Sequence, residues 1–419
     1  MNSRHTRVLI AITNWWAPAA RMAIALVQNG CRVSALCPAH HPLTLVSGLE
    51  RVLRYRGLDS LGSLRQAVSG NPCDIIVPCD DGVVAQLHVL HREEPSLREL
   101  IEASLGPASS YVITRHRRRL LKVATELGIP VPTTKMVTSI DDLAAWYRDV
   151  APLGVVKVDG ESGGNGVRIC GSLAESISAW RDLGARPGLA TACKRLTIDR
   201  NPLALWAHRR AADHEITIQR FVDGRPANSM FASLNGKLIA VLSVVVLAAD
   251  GPTGAAMIVR KLNDPRLANN ARLIAERLEL TGFYGLDYVL DANTGVPQLI
   301  EMNPRSTQLG HLEFTDQRSL VTEFCGAFFA QATASAHRPI PGDTVALFPA
   351  SLAILHTHHA RIDAAYLDEP TEEAALVEEL KLDPWPERQW LSRMYHALRP
   401  FRRTPAIDFE AFGGAPLAD

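Results

Sequence analysis

The segment LIEMNPR sets Glu301, Asn303 and Arg305 at alternate positions, and Asp287 lies upstream in YGLDYVL. Successive strand residues point to opposite faces, so Glu301, Asn303 and Arg305 share one face. Asp287 belongs to an apolar run of its own, and the connection DANTGVP predicts a hairpin that sets it opposite Glu301. Two carboxylates, an amide oxygen and a guanidinium on one face suit hard Mg²⁺ ions that hold a nucleotide's phosphates. Such a cluster is costly in a sheet unless an ion or a substrate occupies it.

A second constellation lies upstream, in VVKVDGESGGNGVRI. A β-branched strand ends on Lys157 and runs into a loop with Gly160, Gly163, Gly164 and Gly166. A backbone this free of side chains can wrap its N–H groups around phosphate oxygens, and the lysine can reach the same charge. The glycines lack Walker-loop spacing and open no clear helix, so alone they fit a plain flexible hairpin equally well. Their order and distance relative to LIEMNPR favour the phosphate role.

With both pieces in view, the chain resembles the ATP-grasp enzymes, the broad group of carboxylate–amine ligases, biotin carboxylase and carbamoyl-phosphate synthetase. The likeness covers roughly residues 106–335. It implies that Arg117, in RRRLLKVATELGIPVP, and Lys157 contact the nucleotide, and that Gly163, Gly164 and Gly166 close over the phosphates. TIQRFVDG resembles the hinge strand, which places Gln219, Arg220, Phe221 and Val222 beside adenine. Asp287, Glu301 and Asn303 match the metal ligands, and Arg305 the arginine beside the transferred phosphate. Two departures stand out. Arg225, Pro226 and Ala227 follow Gly224 where many members carry a ribose-binding acid, and residues 193–213 are longer and more basic than a minimal connection.

The implied activity is an ATP-dependent ligase that joins a small carboxylic acid to an amine, possible amino acids included, through an acyl phosphate, releasing ADP and phosphate. The implied cofactors are ATP and two Mg²⁺ ions, with Mn²⁺ as a substitute. Arg260, after the apolar run AAMIVR, is a candidate to fork a substrate carboxylate; Gln308 and His311, just past the metal strand, are further substrate candidates, with His311 as base for the amine. A small-molecule kinase on the same fold and a non-catalytic nucleotide-binding module are the rival expectations.

The expected architecture mixes α/β and α+β parts: an ATP-grasp fold with an N-terminal doubly wound pre-ATP-grasp domain over 1–105 and an ATP-grasp domain over 106–335. The latter holds a small α+β lid lobe at about 130–218 and an antiparallel-sheet lobe for nucleotide and metal; a C-terminal extension covers 336–419. RVLIAI, the helix from Pro18 to Asn29 with Gly30 as its stop, and CRVSALCP read as strand–helix–strand. Asp80 and Asp81 follow a strand's C-terminal end, where open α/β sheets place ligands, although helix capping explains them as well. Ser139 reads as an N-cap, and Asp223-Gly224 and Asn235-Gly236 as hairpin turns. Trp390, Leu391, Met394, Tyr395 and Leu398 recur at helical spacing, as a face that packs on the rest of the fold.

The chain has 419 residues, enough for two or three domains. Its 44 basic and 44 acidic residues cancel, which argues against a general nucleic-acid or anionic-membrane binder. TRHRRR (114–119) has no interleaved aromatics and reads as a solvated helix face with one arginine turned to the nucleotide. Seven scattered cysteines without a C-x-x-C pair fit reduced thiols, and no apolar run is long enough to span a bilayer, so a cytoplasmic protein is expected. The run containing His356, His358 and His359 has no acidic or cysteine partner spaced for zinc. A homodimer through the first domain is the assembly the resemblance implies.

Overall fold

The computed structural model describes residues 6–159, 166–185, 215–329, 339–355 and 365–398, with 194, 197–198 and 406–407. Gly163 and Gly164, the basic stretch up to 213 and the HTHH run fall wholly or largely outside the described residues. Among those described, no helix is long and apolar enough to cross a membrane.

The first 105 residues form a four-stranded parallel sheet, β1 (Arg7–Ala11), β2 (Arg32–Cys37), β3 (Arg51–Arg54) and β4 (Ile75–Pro78), in the order β3-β2-β1-β4. β1 and β4 are apolar because both faces are covered. Val8 and Ile10 pack on the side of α1 (Pro18–Gln28); Leu9 and Ala11 pack on the side of α2 (Ser60–Gly70), α3 (Asp81–Glu93) and α4 (Arg98–Leu105). α1 has a proline in its first turn and ends at Gly30, whose φ of 78° suits the left-handed region. Two further helices, α5 (Ala108–Arg115) and α6 (Arg117–Glu126), lead out of this layer.

A small antiparallel sheet follows: β5 (Thr134–Met136), β6 (Gly154–Val158), β7 (Val167–Cys170) and β8 (Ile216–Arg220), ordered β5-β8-β6-β7. α7 (Ile140–Asp149) starts at a capping box in which Ser139 and Asp142 satisfy each other's backbone N–H groups. Val156, Val158, Ile216 and Ile218 pack in a core with Trp146 of α7 and Ala179 of α8 (Leu173–Gly184). Alternation then turns Lys157 and Gln219 to the other face of the sheet.

The large sheet runs β13-β12-β9-β10-β11-β14-β15. Its strands are β9 (Gly224–Leu234), β10 (Lys237–Ala249), β11 (Ala256–Lys261), β12 (Gly282–Asp291), β13 (Pro297–Asn303), β14 (Thr344–Ala346) and β15 (Tyr366–Leu367), and β16 (Ala406–Ile407) pairs with β10. Asn235 (φ 48°) and Gly236 (φ 78°) close the β9–β10 hairpin in the left-handed conformation that the pair favours. Asp223-Gly224 is different: β8 belongs to the small sheet and β9 to the large one, so these residues cross between sheets rather than turn a hairpin. The helix Pro265–Leu278 covers one face of the large sheet; α1 and the helix Leu320–Phe329 cover the other. The C-terminal segment adds β14–β16 to this sheet. In the helix Trp390–Leu398, Trp390, Leu391 and Met394 are exposed, so these members of the apolar stripe do not pack on the rest of the fold, whereas Ser392 is buried.

Candidate functional site

β12 and β13 form an antiparallel hairpin in which Asp287 lies directly opposite Glu301, and Gly285 opposite Asn303. On its other edge β12 pairs with β9, so that Asp287 faces Asn228, and the same row continues to Val244 on β10 and Lys261 on β11. Residues directly opposite across antiparallel strands share a face, which makes Glu301, Asp287, Asn228 and Lys261 one row. That face is the one covered by α1, towards the parallel sheet.

Hydrogen bonds lock the row. Asp287 accepts from Asn228 Nδ2 at 2.7 Å and from Asn303 Nδ2 at 3.0 Å. Arg305 lies past the end of β13, and its Nη2 donates back to Asn303 Oδ1 at 3.2 Å. Its Nε donates to Asp81 Oδ2 at 3.1 Å, and its guanidinium lies 5.5 Å from the Trp16 ring centroid. Arg305 therefore ties the hairpin to the C-terminal end of the parallel sheet. Asp80 is a capping residue: it is buried and accepts from Val83 N on α3 and from Thr13 N and Oγ1 in the loop after β1.

The second half of the site comes from α6 and the small sheet. Arg117 is buried, its Nη2 donating to Glu301 Oε2 and its Nη1 to Asp159 Oδ1, both at 3.1 Å. Lys157 is buried and donates to Gln219 Oε1 at 2.7 Å, while Gln219 Nε2 donates to Thr134 Oγ1 at 3.0 Å. Burial, and then the neighbouring Arg117 charge, pull the Lys157 ammonium down to about 8. Burial, and then Glu301 across the hairpin, push the Asp287 carboxyl up to about 6. Phe221 and Val222 are half-buried where the chain passes between the two sheets, and Arg220 is exposed. Gly166 adjoins β7, its carbonyl accepting from Val158 N at 3.0 Å.

Arg260 is not brought to this face, and His311 is closed in beneath α1. Arg260 pairs with Val245, one step along the strands from the carboxylate row, so alternation points it to the opposite side; there its Nε donates to Thr344 Oγ1 at 3.1 Å. Its neighbour Lys261 takes the front face and lies against Asp316 and the Phe314 ring. His311 is 6% exposed, its Nε2 bonded at 2.7 Å to Asp368, which also pairs with Arg21. A histidine walled in this way has no open side for a substrate amine. Gln308 donates to the Ala256 carbonyl at 3.0 Å.

Neither Asn228 nor Asp159 stands out in the sequence, whereas Asp81, marked by its place after a strand's C-terminal end, meets Arg305. Asn228 carried one signal, its alternation with Met230 and Ala232 in NSMFASL; the strand order that brings it to Asp287 carried none.

Mg²⁺ suits these residues. Two carboxylates opposed on one hairpin repel, which adds to the burial that raises Asp287, and a divalent cation relieves that repulsion with an all-oxygen donor set of Asp287, Glu301 and Asn303 Oδ1. Protonation competes with the ion. Below about pH 6 Mg²⁺ affinity should therefore weaken by up to tenfold per pH unit and level off above it; an Asp287→Asn chain should lack that slope in calorimetric titrations.

Close packing fixes the row as firmly as hydrogen bonding does. A Cβ on Gly285 would stand 2.5 Å from Thr307 Cγ2 and 3.3 Å from Asn303 Cβ. Gly285→Ala should cost about 1–3 kcal/mol in urea denaturation and weaken Mg²⁺ binding, because Asn303 must shift.

No family model matches the chain. A curated phosphoribosylamine–glycine ligase from Xanthomonas axonopodis pv. citri (strain 306) is 26% identical over an alignment of 277 positions that covers 60% of this chain. The match spans 56% of that relative's length. Among solved structures, the Staphylococcus aureus N5-carboxyaminoimidazole synthetase complexed with ADP superposes with a TM-score of 0.57 at 12% identity, covering 87% of this chain and 88% of that one. The biotin carboxylase domain of the Hydrogenobacter thermophilus 2-oxoglutarate carboxylase, in complex with MgADP, ADP and bicarbonate, gives 0.54 at 12% identity, covering 81% and 71%. At such identities the likeness speaks for the fold. The strand order, the two sheets facing each other across Arg117 and these superpositions agree: the chain has the ATP-grasp fold.

Proposed function

We propose that the chain is an ATP-dependent carboxylate–amine ligase that forms an amide or peptide bond through an acyl phosphate and releases ADP and phosphate. The observation that carries this reading is the Asp287–Glu301 pair facing Lys157 and Arg117 across two sheets, with Arg305 at the end of the row. In it, residues 1–105 form a pre-ATP-grasp domain, 106–335 the ATP-grasp domain with its lid lobe at about 130–218, and 336–419 an extension.

Asp287, Glu301 and Asn303 would hold two Mg²⁺ ions, which when bound neutralise charge on the triphosphate. Lys157 and Arg117 bind phosphate oxygens, and Gln219 orients the lysine. The residues from Gln219 to Val222 line adenine between the sheets, and Gly163, Gly164 and Gly166 cover the phosphates. A substrate carboxylate oxygen attacks the γ-phosphorus, the bond to ADP breaks, and an acyl phosphate forms. This step is needed because a carboxylate alone would have to expel oxide. The amine nitrogen then attacks the acyl carbon, the C–N bond forms, and phosphate leaves as the amine loses a proton. Arg305 stabilises negative charge on the transferred phosphoryl group and on the tetrahedral oxygen. Exclusion of water protects the acyl phosphate from hydrolysis.

A panel of amino acids and small acids, incubated with ATP and Mg²⁺ with and without amines, tests this by phosphate release and mass detection of product. An amide product with amine-dependent turnover supports the ligase. Full turnover without amine, with a stable phosphorylated acid, reassigns the site to a kinase, and no ADP under any condition removes the catalytic reading altogether.

A further inference from the structure

Three side chains from three separate elements meet beside the small sheet, off the Asp287–Glu301 row. His116 occupies the position before α6, Asp159 follows β6, and Glu215 precedes β8. One donor atom from each lies within 4.8 Å of the other two. The backbone fixes two of them, with Asp159 N donating to the Glu215 carbonyl at 3.2 Å.

His116 Nδ1 and Asp159 Oδ2 are 3.6 Å apart, beyond hydrogen-bond reach, and both are buried without a hydrogen-bond partner among the described residues. Asp159 is only 7% exposed. A buried acceptor left unsatisfied costs about 1–3 kcal/mol, so an oxygen aimed at an imidazole nitrogen and a second carboxylate calls for an occupant. The remaining oxygens are already engaged: Asp159 Oδ1 accepts from Arg117 Nη1 at 3.1 Å, and Glu215 Oε2 from Arg118 Nε at 3.2 Å. Each carboxylate is thus oriented by an arginine on one oxygen, as carboxylate ligands held by outer hydrogen-bond donors are, and Asp159 keeps its other oxygen free. One imidazole nitrogen with two carboxylate oxygens suits Mn²⁺ or Zn²⁺ better than Mg²⁺, which favours oxygen alone.

The geometry points to a second cation site, formed by His116, Asp159 and Glu215 and taking a divalent transition-metal ion. Occupied, it pins the start of α6 to the ends of β6 and β8 and so holds the small sheet against the helix that supplies Arg117. Arg117 bridges the two sites, since its other nitrogen bonds Glu301. The inference stands on donor geometry and does not depend on the ligase reading.

The test uses the full chain, freed of metal by dialysis against chelator and titrated with Mn²⁺ or Zn²⁺ alone, without nucleotide. In an Asp287→Asn/Glu301→Gln background one ion per chain should still bind, and bound Mn²⁺ should show nitrogen coupling in pulsed EPR. His116→Gln should abolish that coupling and weaken binding by about tenfold or more, since even the loss of an outer-shell partner costs 10–100-fold. Asp159→Asn should weaken binding comparably. His116→Gln in the otherwise wild-type chain, a change at a half-buried position, should remove the same coupling if the double variant fails to fold. No ion bound in the background, or a bound ion indifferent to His116→Gln, overturns the site. So does a bound ion indifferent to Asp159→Asn, which would leave a simple His116–Asp159 ion pair.

Discussion

Replacing Glu301 by glutamine should lower ADP formation by about 10³-fold or more while leaving the chain folded. The size follows from the several kcal/mol that a correctly held metal ion contributes to charge stabilisation in phosphoryl transfer, each 1.36 kcal/mol being tenfold in rate. Folding survives because two changes oppose each other. Arg117 loses one of its two carboxylates but keeps Asp159, and Asp287 is relieved of the like charge directly opposite. The glutamine is close to isosteric and can still accept from Arg117. Turnover measured with saturating ATP and Mg²⁺, alongside circular dichroism and a thermal melt, separates the chemical effect from misfolding. A variant that keeps ADP formation within about tenfold of wild type, correctly folded, would defeat the assignment of Glu301 to the metal. The background rate of ATP hydrolysis without substrate should fall in step, because the same ions serve both reactions.

Why the Asp287–Glu301 pair was legible, and Arg260 was not, comes down to how far each inference had to reach. Asp287 and Glu301 lie on consecutive strands joined by a short turn, so period-two alternation and a hairpin were enough to set them opposite. Lys157 and Gln219 were marked by position next to glycines and on a hinge-like strand, although only the structure shows the bond between them. Arg260 needed the register of β11 against the long strand β10, which carries irregularities near Ala248. A one-residue difference in register exchanges Arg260 and Lys261 between faces, and nothing local in AMIVRK decides it. His311 stood in the sequence as a lone histidine after a metal motif; its partner Asp368 is 57 residues away. Strands of two or three residues such as β14, β15 and β16 have no periodicity to read, so the way the C-terminal segment completes the large sheet was out of reach.

Asp368 shows what that segment contributes, and Asp368→Ala should destabilise the chain by about 3–5 kcal/mol. Its carboxylate sits among Arg21 of α1 and His311 of the loop after β13, and the three side chains are only 8%, 8% and 5% exposed. Arg21 Nε and Nη1 have no hydrogen-bond partner among the described residues, so Asp368 is what compensates that buried charge. Removing it strands a guanidinium in the interior, and His311, whose imidazole is either neutral or cationic, supplies no negative charge in its place. The cost is that of an orphaned charge, not the net worth of the pair. An Arg21→Met/Asp368→Leu double variant should therefore recover most of the loss, since apolar residues of similar volume replace buried ion pairs at little cost. Burial alone would raise the Asp368 carboxyl, but Arg21 and then His311 hold it below the usual carboxylate value. Stability from this network is thus complete above that value and disappears as pH falls through the lowered one, so the deficit of Asp368→Ala should narrow in acid. Urea midpoints at neutral and acidic pH read both effects; a deficit below about 1 kcal/mol at neutral pH would mean that the segment merely rests against the fold.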